Sequence, residues 1–170
     1  MPIEIVDYQP SWPERFEAER LVLVQALAPW LSGGVHHIGS TSVPGLPAKP
    51  VIDMMAGVGS LSMAQQAVER LASLGYQHAP HRPEALWFFK PGDRALEWRT
   101  HHLHLTEPGS DLWRERLAFR DALRADPELA AEYADLKARL SAERGVVNKE
   151  YARDKRPFVA RVLASAGINL

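Results

Sequence analysis

The sequence has no cysteine, almost no net charge and no long hydrophobic run, and each absence excludes a class of function. A cysteine count of 0 rules out disulfides, thiolate zinc sites and cysteine nucleophiles. The net charge of −1, from 20 basic and 21 acidic residues, creates no overall field that attracts nucleic acid or an anionic membrane. No apolar segment approaches the roughly 20 residues that cross a bilayer, and the N-terminal residues do not resemble a signal peptide. We therefore expect a soluble cytoplasmic protein with no nucleic-acid or membrane partner.

What the chain does contain is typical of one globular domain. Its 170 residues are 46% hydrophobic and 24% charged, and no repeat, low-complexity segment or flexible linker divides them. The patterns predict a mixed α/β (α+β) core up to about residue 108, followed by a bundle of helices from about 110 to 166. We expect residues 1–170 to fold as a single unit.

Periodicity and turn residues place the elements of this fold. Strands are predicted at 3–6, 35–38, 51–58, 76–78, 85–90 and 98–105, and core helices at 11–31 and about 60–74. After residue 109 the pattern is helical throughout, with helices predicted to about 125, from 126 to about 144, and from near Val147 to about 166.

The most informative stretch lies between residues 36 and 58. A predicted strand ends at Gly39-Ser40-Thr41, and the next strand carries Asp53 among apolar residues. Such a turn offers backbone N–H groups and hydroxyls to a phosphate, and a neighbouring carboxylate can hold a divalent metal that bridges the same phosphates. The alternative is an ordinary tight turn beside a surface aspartate. Lys49 lies close enough in sequence to neutralise Asp53 or to reach a phosphate.

The run Gly-Ser-Thr-Ser-Val-Pro-Gly-Leu-Pro-Ala-Lys-Pro-Val-Ile-Asp resembles the signature of the GrpB family. This family is assigned to the nucleotidyltransferase superfamily and also occurs fused to dephospho-CoA kinase. The resemblance extends over nearly the whole chain and includes Tyr8, Trp12, Pro13, Phe16, Glu19, the run 99–104, Trp113, the run 119–121, Leu123, Arg124, Tyr133, Lys137, Tyr151 and Lys155.

The resemblance implies a nucleotidyltransferase-like mixed sheet and a particular set of site residues. Gly39 and Ser40 match the pair that contacts the triphosphate in that superfamily, and Asp53 matches the first metal-binding acid. The second acid of the superfamily pattern falls at Met55, a departure that removes one carboxylate from a two-magnesium site.

The third acidic position falls on the strand predicted at 98–105, where His102 and His104 stand two residues apart. Alternation along a strand puts both imidazoles on one face. If that face meets Asp53, the three side chains form a metal-binding or catalytic set, and magnesium, manganese and zinc are all candidates. The alternative is a pair of hydrogen-bonded histidines on an inner face. Arg99 shares the face of His101 unless a bulge intervenes.

Basic residues in the helical tail recur four residues apart and so share helix faces. These pairs suggest an anion clamp formed by Arg120, Arg124, Lys137 and Lys155, with Tyr133 and Tyr151 preceding the two lysines at the same spacing. The alternative is a set of solvated helix faces.

The sequence supports three hypotheses of function. The first is a nucleotidyltransferase-like protein that binds a nucleotide or another phosphorylated small molecule with a divalent metal and catalyses nucleotidyl or phosphoryl transfer. The second is an inactive core that binds a ligand or assists the folding of a partner. The third is a metal-dependent phosphate hydrolase.

Overall fold

The computed structural model describes residues 4–80, 82–92, 95–144 and 148–170. Five strands form one mixed sheet in the order β1-β2-β5-β4-β3. β2 and β5 run parallel, whereas the other neighbouring strands pair antiparallel. The strands are β1 (Leu31–Ile38), β2 (Ile52–Val58), β3 (Gln77–Ala79), β4 (Ala85–Gly92) and β5 (Ala95–Thr106).

Six α-helices accompany the sheet in the described residues. They are α1 (Ser11–Ala26), α2 (Leu61–Ala64), α3 (Val68–Ser73), α4 (Asp111–Ala125), α5 (Pro127–Arg144) and α6 (Asn148–Ser165). The hydroxyls of Ser60 and Ser110 accept hydrogen bonds from backbone N–H groups in the first turns of α2 and α4. Both serines are N-caps, which start these helices where the sequence predicted.

The main hydrophobic core lies on one face of the sheet, beneath the first three helices. Alternate residues of β2 and β5 enter it, and Met54 and Leu103 are fully buried there. Because side chains alternate along a strand, the intervening residues of the same strands point to the opposite face. That face carries Asp53, His102 and His104, and it is the face on which the site is built.

A second, smaller hydrophobic cluster joins the C-terminal helices to the loop after β1. Its buried members are Val43, Leu46, Leu123, Tyr133, Phe158 and Val162. The loop residues that precede β2 thus pack directly against α4, α5 and α6. This packing brings basic residues of the helical tail close to the Gly39-Ser40 turn.

Several sequence predictions of secondary structure are wrong in detail. The strands predicted to begin at 35 and 98 begin at Leu31 and Ala95. The first helix ends at Ala26, five residues early, because Pro29 disfavours helical geometry at the residue before it; the chain then enters β1 at Leu31. The predicted strand 3–6 is reduced, in its described part, to a single bridge between Val6 and Ala48. The helix predicted to 74 is interrupted by a 3-10 turn at 65–67. The predicted start of the last helix, Val147, lies outside the described residues.

Within the described ranges, none of the helices combines the length and the apolar character that a membrane crossing requires.

Candidate anion-binding site

The Gly39-Ser40 turn and Asp53 lie in direct contact. β1 pairs with β2 so that Ile38 stands opposite Asp53, and the chain then turns through Gly39 with a φ of 70°. A Cβ added at Gly39 would lie 2.9 Å from Oδ2 of Asp53. Glycine is therefore required twice here, by the left-handed backbone and by the close approach of the carboxylate. The turn and the acid that the sequence predicted to act together are adjacent in the structure.

Lys137 reaches this turn from α5. It is 2% exposed, and its Nζ donates to Oγ of Ser40 at 3.0 Å and to the carbonyl of Pro47 at 2.5 Å. Both acceptors are neutral, and within the described residues Lys137 forms no ion pair with a carboxylate. Burial, together with the nearby Lys155 and Lys49, lowers the pKa of Lys137 to about 7.

Lys49 and Lys155 complete a cluster of three lysines with Lys137. The Nζ atoms of Lys49 and Lys155 lie 4.6 Å and 4.3 Å from the centre of the Tyr151 ring, on which both ammonium groups pack. Burial lowers the pKa of each to about 8, and for Lys155 the charge of Lys49 acts in the same direction. Lys137 packs likewise on Tyr133, at 5.0 Å from the ring centre. The Tyr-Lys spacing seen in the sequence thus corresponds to two cation–π pairs.

Asp53 and the two histidines share the predicted face of the sheet. The register places Asp53 beside His102 and Met55 beside His104. Nε2 of His104 lies 3.5 Å from Oδ1 of Asp53, which is long for a hydrogen bond. Burial alone would raise the pKa of Asp53, but His104, His102 and Arg116 more than offset it and hold the pKa below its usual range.

His102 carries no charge at neutral pH. Burial lowers its pKa to about 4, despite the opposing effect of Asp53. Oδ1 of Asp53 and Nε2 of His102 are buried and form no hydrogen bond with the described residues. Two buried polar atoms that form no hydrogen bond are costly, and each can bind a cation or a ligand proton.

The metal-binding prediction has a mixed fit to these positions. The unpartnered atoms of Asp53 and His102 suit metal coordination, but Met55 is fully buried where a second acid would stand. Among the residues that the structure describes, no three His, Asp or Glu side chains are arranged so as to hold a metal ion. A metal on Asp53, His102 and His104 therefore stays a prediction.

Three residues that the sequence assigned to phosphate binding are occupied elsewhere. The hydroxyl of Thr41 is buried between the ring of His37 and the carbonyl of Val51. Arg120 donates to the carbonyl of His37, and Arg124 donates to the carbonyl of Ser42. The structure brings Lys137 into contact with the Gly39-Ser40 turn, whereas Arg120 and Arg124 are held by the carbonyls of the residues that flank the turn.

Sequence reasoning missed several residues of the site. Arg116 is the α4 arginine whose charge reaches Asp53 and Lys155, and it precedes Arg120 by one helical turn. Its spacing was visible in the sequence, but the direction in which α4 faces was not. Trp87 also lies on the site face, with its ring 5.2 Å from that of His102.

His101 points to the opposite face, as predicted. Its Nδ1 lies 2.9 Å from the Thr100 hydroxyl, and Glu19 and Lys90 are among its charged neighbours. This face belongs to α1, where Glu19 accepts hydrogen bonds of 2.6 Å from both Tyr76 and Lys90. That network ties α1 to the sheet and has no part in the site.

The architecture belongs to the class of nucleotidyltransferase-like domains. A crystal structure of the Cid1 poly(U) polymerase with magnesium and 3'-dATP matches with a TM-score of 0.52 over 76% of this chain and 41% of that chain. The two sequences are 16% identical, so this likeness concerns the fold alone.

Within this class, the family model described as GrpB protein matches residues 2–165, and the chain belongs to the GrpB family. The crystal structure of the conserved protein GrpB from Enterococcus faecalis is 32% identical, with a TM-score of 0.84 and a coverage of 96% of both chains. The glutamate-rich protein GrpB of Alkalihalophilus pseudofirmus is 32% identical over 94% of this chain and 92% of its own length.

Other relatives are longer than this chain. YqkA of Bacillus subtilis is 36% identical over 92% of this chain, which spans 45% of YqkA. A dephospho-CoA kinase of Mycolicibacterium paratuberculosis is 31% identical over 80% of this chain and 39% of its own length. The family and its occurrence within a larger kinase chain, both expected from the sequence, are confirmed.

Proposed function

We propose that this protein binds the phosphate groups of a nucleotide or another phosphorylated small molecule at the Gly39-Ser40 turn, between Asp53 and the three-lysine cluster. The observation that carries the proposal is the buried ammonium group of Lys137, whose acceptors are the neutral oxygens of Ser40 and Pro47.

The physical argument is one of uncompensated charge. Burying a cation without a carboxylate costs several kcal/mol, and the group responds by lowering its pKa. Three lysines with lowered pKa values stand together here, and two of them, Lys137 and Lys155, form no ion pair with the described residues. A bound phosphate supplies the missing negative charge and allows all three to be protonated. Binding of the phosphate therefore removes the unfavourable free energy of the buried cations, and this relief contributes to the affinity.

The comparisons support this choice of ligand. Cid1 structures are described with MgATP, MgGTP or magnesium and 3'-dATP bound, and 41–45% of each of these chains shares the fold of this chain. The dephospho-CoA kinase relative bears the name of an enzyme that acts on a phosphorylated coenzyme.

A divalent cation, magnesium, manganese or zinc, would bind at Asp53, with His102 and His104 as further candidates for coordination. It would neutralise phosphate charge and polarise the phosphorus–oxygen bonds. Asp53 would hold that cation against the phosphates. One of the two histidines would handle the proton, and nucleotidyl or phosphoryl transfer is the reaction class that we propose.

Met55 favours a second candidate function, a domain that binds the same ligand without turning it over. A buried methionine in place of the second acid leaves one carboxylate where two-metal transfer needs more. In such a protein the bound phosphate would act as a structural ligand for an attached or associated kinase.

The test is calorimetric titration and thermal unfolding of the full chain with ATP, dephospho-CoA and inorganic phosphate, each with magnesium, manganese or zinc. A ligand at 100 times its Kd should add about 2.7 kcal/mol to the free energy of unfolding. Lys137→Met should abolish this gain, whereas Lys149→Met, an exposed lysine of the same helix as Lys155, should leave it unchanged.

Phosphorus NMR of the same samples separates the two candidate functions. Turnover produces new resonances from the products, whereas binding alone only shifts the resonances of the added ligand. If all three ligands fail to stabilise the protein, or do so equally in Lys137→Met, the proposed function is wrong.

A further inference from the structure

Arg99 lies on β5, three residues before His102. Its guanidinium carbon stands 4.2 Å from the centre of the Phe89 ring and 5.0 Å from that of Trp87. Phe89 and Trp87 are the β4 neighbours of His102 and His104, so their side chains project from the face that carries Asp53. Arg99 therefore stacks on two aromatic rings of β4, and the site extends from β5 to β4.

An irregular register puts Arg99 on this face. Side chains alternate between the two faces of a regular strand. Because Arg99 is three residues from His102, it would then lie on the opposite face, with His101. The pairing of β4 with β5 shifts between Lys90 and Pro91, and Pro91 then stands opposite Arg99. Proline has no N–H to donate to the ladder, and a bulge there re-aims the arginine.

The guanidinium is oriented but has no acceptor among the described residues. Stacking fixes its plane, while the described residues offer it neither a hydrogen bond nor an ion pair. Arg99 is only half-buried, yet burial is enough to lower its pKa. The charges of both Arg99 and Lys49 act on the imidazole of His102. Arg99 thus adds a second basic group to the face that carries Asp53 and His102, on a different element of the fold from the lysines.

We propose that Arg99 binds an oxyanionic group, a phosphate or a carboxylate, of a second small ligand that lies beside the phosphates held at the lysine cluster. A planar guanidinium donates to such a group through two parallel hydrogen bonds, and a stacked arginine loses little freedom when it does so. The inference deepens the proposed function by giving the acceptor molecule a chemical class. The Arg99 site itself, however, can be tested without the first ligand.

The experiment follows the arginine Nε–Hε and indole N–H resonances of the 15N-labelled full chain during titration with inorganic phosphate and, separately, with acetate. Lys137→Met is used as the background, so that anions at the lysine cluster do not contribute. We expect the Arg99 and Trp87 resonances to move saturably. Arg99→Met should weaken the anion affinity measured at Trp87 roughly tenfold to a hundredfold, which is the effect of losing a charged hydrogen-bonding partner. Arg99→Lys should weaken this affinity less.

Arg70→Met is the matched control, because Arg70 also stacks on an indole, at 5.1 Å from the Trp30 ring, but at a distance from the site. Its removal should leave the titration unchanged. A response to phosphate alone identifies a phosphate group, and a response to both anions shows that carboxylates are accepted. If neither anion moves the Arg99 resonance, or if Arg99→Met responds like its parent, Arg99 only packs on the aromatic rings and the inference is wrong. If Arg99 responds to an anion but the protein binds no nucleotide, the proposed function is wrong and the inference about Arg99 still holds.

Discussion

Phosphate binding should weaken steeply as the pH rises from 7 to 8, because the three lysines of the cluster lose their protons in this range. The pKa of Lys137 is about 7, and those of Lys49 and Lys155 are about 8. A bound phosphate is ionised throughout this range and raises all three pKa values. Binding must therefore be accompanied by proton uptake from the solvent.

The magnitude follows from the fraction of each lysine that is neutral before binding. With these pKa values, full protonation on binding takes up roughly 0.7 proton at pH 7 and about 1.9 protons at pH 8. Integrating this uptake gives a loss of affinity of roughly tenfold to twentyfold between the two pH values. A site made of ordinary surface lysines would show almost no change, because their pKa lies near 10.4.

The assay is calorimetric titration with ATP in buffers of different ionisation enthalpy, at pH 7 and at pH 8. The slope of the observed heat against buffer enthalpy counts the protons taken up. Lys149→Met, which removes an exposed lysine outside the cluster, should leave the uptake unchanged at both pH values. Binding with no proton uptake at pH 8 would refute the reasoning, because the lysines would then be fully charged in the free protein.

The same pKa values have a consequence for the free protein. Between about pH 7 and 10.5, the unfolded chain binds more protons at these lysines than the folded chain, since only the folded state lowers their pKa. The contribution of these lysines to the free energy of unfolding should therefore rise with pH across this window, and saturating phosphate should flatten the dependence. Urea titrations at a series of pH values measure it.

Three further predictions concern the frame of the site. Gly39→Ala should destabilise the protein by about 1–3 kcal/mol and weaken ATP binding, whereas Gly45→Ala, which also has a positive φ but no atom within 4 Å of the new Cβ, should cost stability without affecting binding. Met55→Asp should lower the melting temperature of the free protein, because it buries a carboxylate, and manganese should restore more stability to it than to the parent; equal effects of manganese would exclude a metal at this position. Leu123→Ala should cost about 2–5 kcal/mol in urea unfolding through loss of the second hydrophobic cluster, against a change within about 0.5 kcal/mol for the exposed Leu21→Ala.

Local sequence determined most of the elements of the fold. Strands β2 and β4 and the three C-terminal helices lie within one or two residues of their predicted bounds in the described ranges, because apolar periodicity and serine caps act over one or two turns. The early end of the first helix also has a local cause, because Pro29 disfavours helical geometry at the residue before it. The strand predicted at 3–6 is little more than a bridge, because the pairing partner of a strand is not encoded in the strand itself.

The candidate site divides in the same way. Alternation placed His102 and His104 on one face, and the family signature placed the Gly39-Ser40 turn beside Asp53; both arrangements are present. Whether that face would meet Asp53 depended on the parallel register of β2 with β5, which no local pattern specifies.

The direction of the tail helices was beyond the reach of the sequence. Four basic residues of the tail were equivalent by spacing, yet Lys137 donates to Ser40 and Lys155 packs on Tyr151, whereas Arg120 and Arg124 donate to backbone carbonyls. Helical spacing specifies which side chains share a face but not what that face packs against. Here the small hydrophobic cluster between the loop after β1 and the three helices sets the rotation of each helix, and with it the positions of their charges. The residue types that bind phosphate were thus determined locally, but only tertiary packing decided which of them form one site, because a cluster of buried cations exists only where the core brings separate segments together.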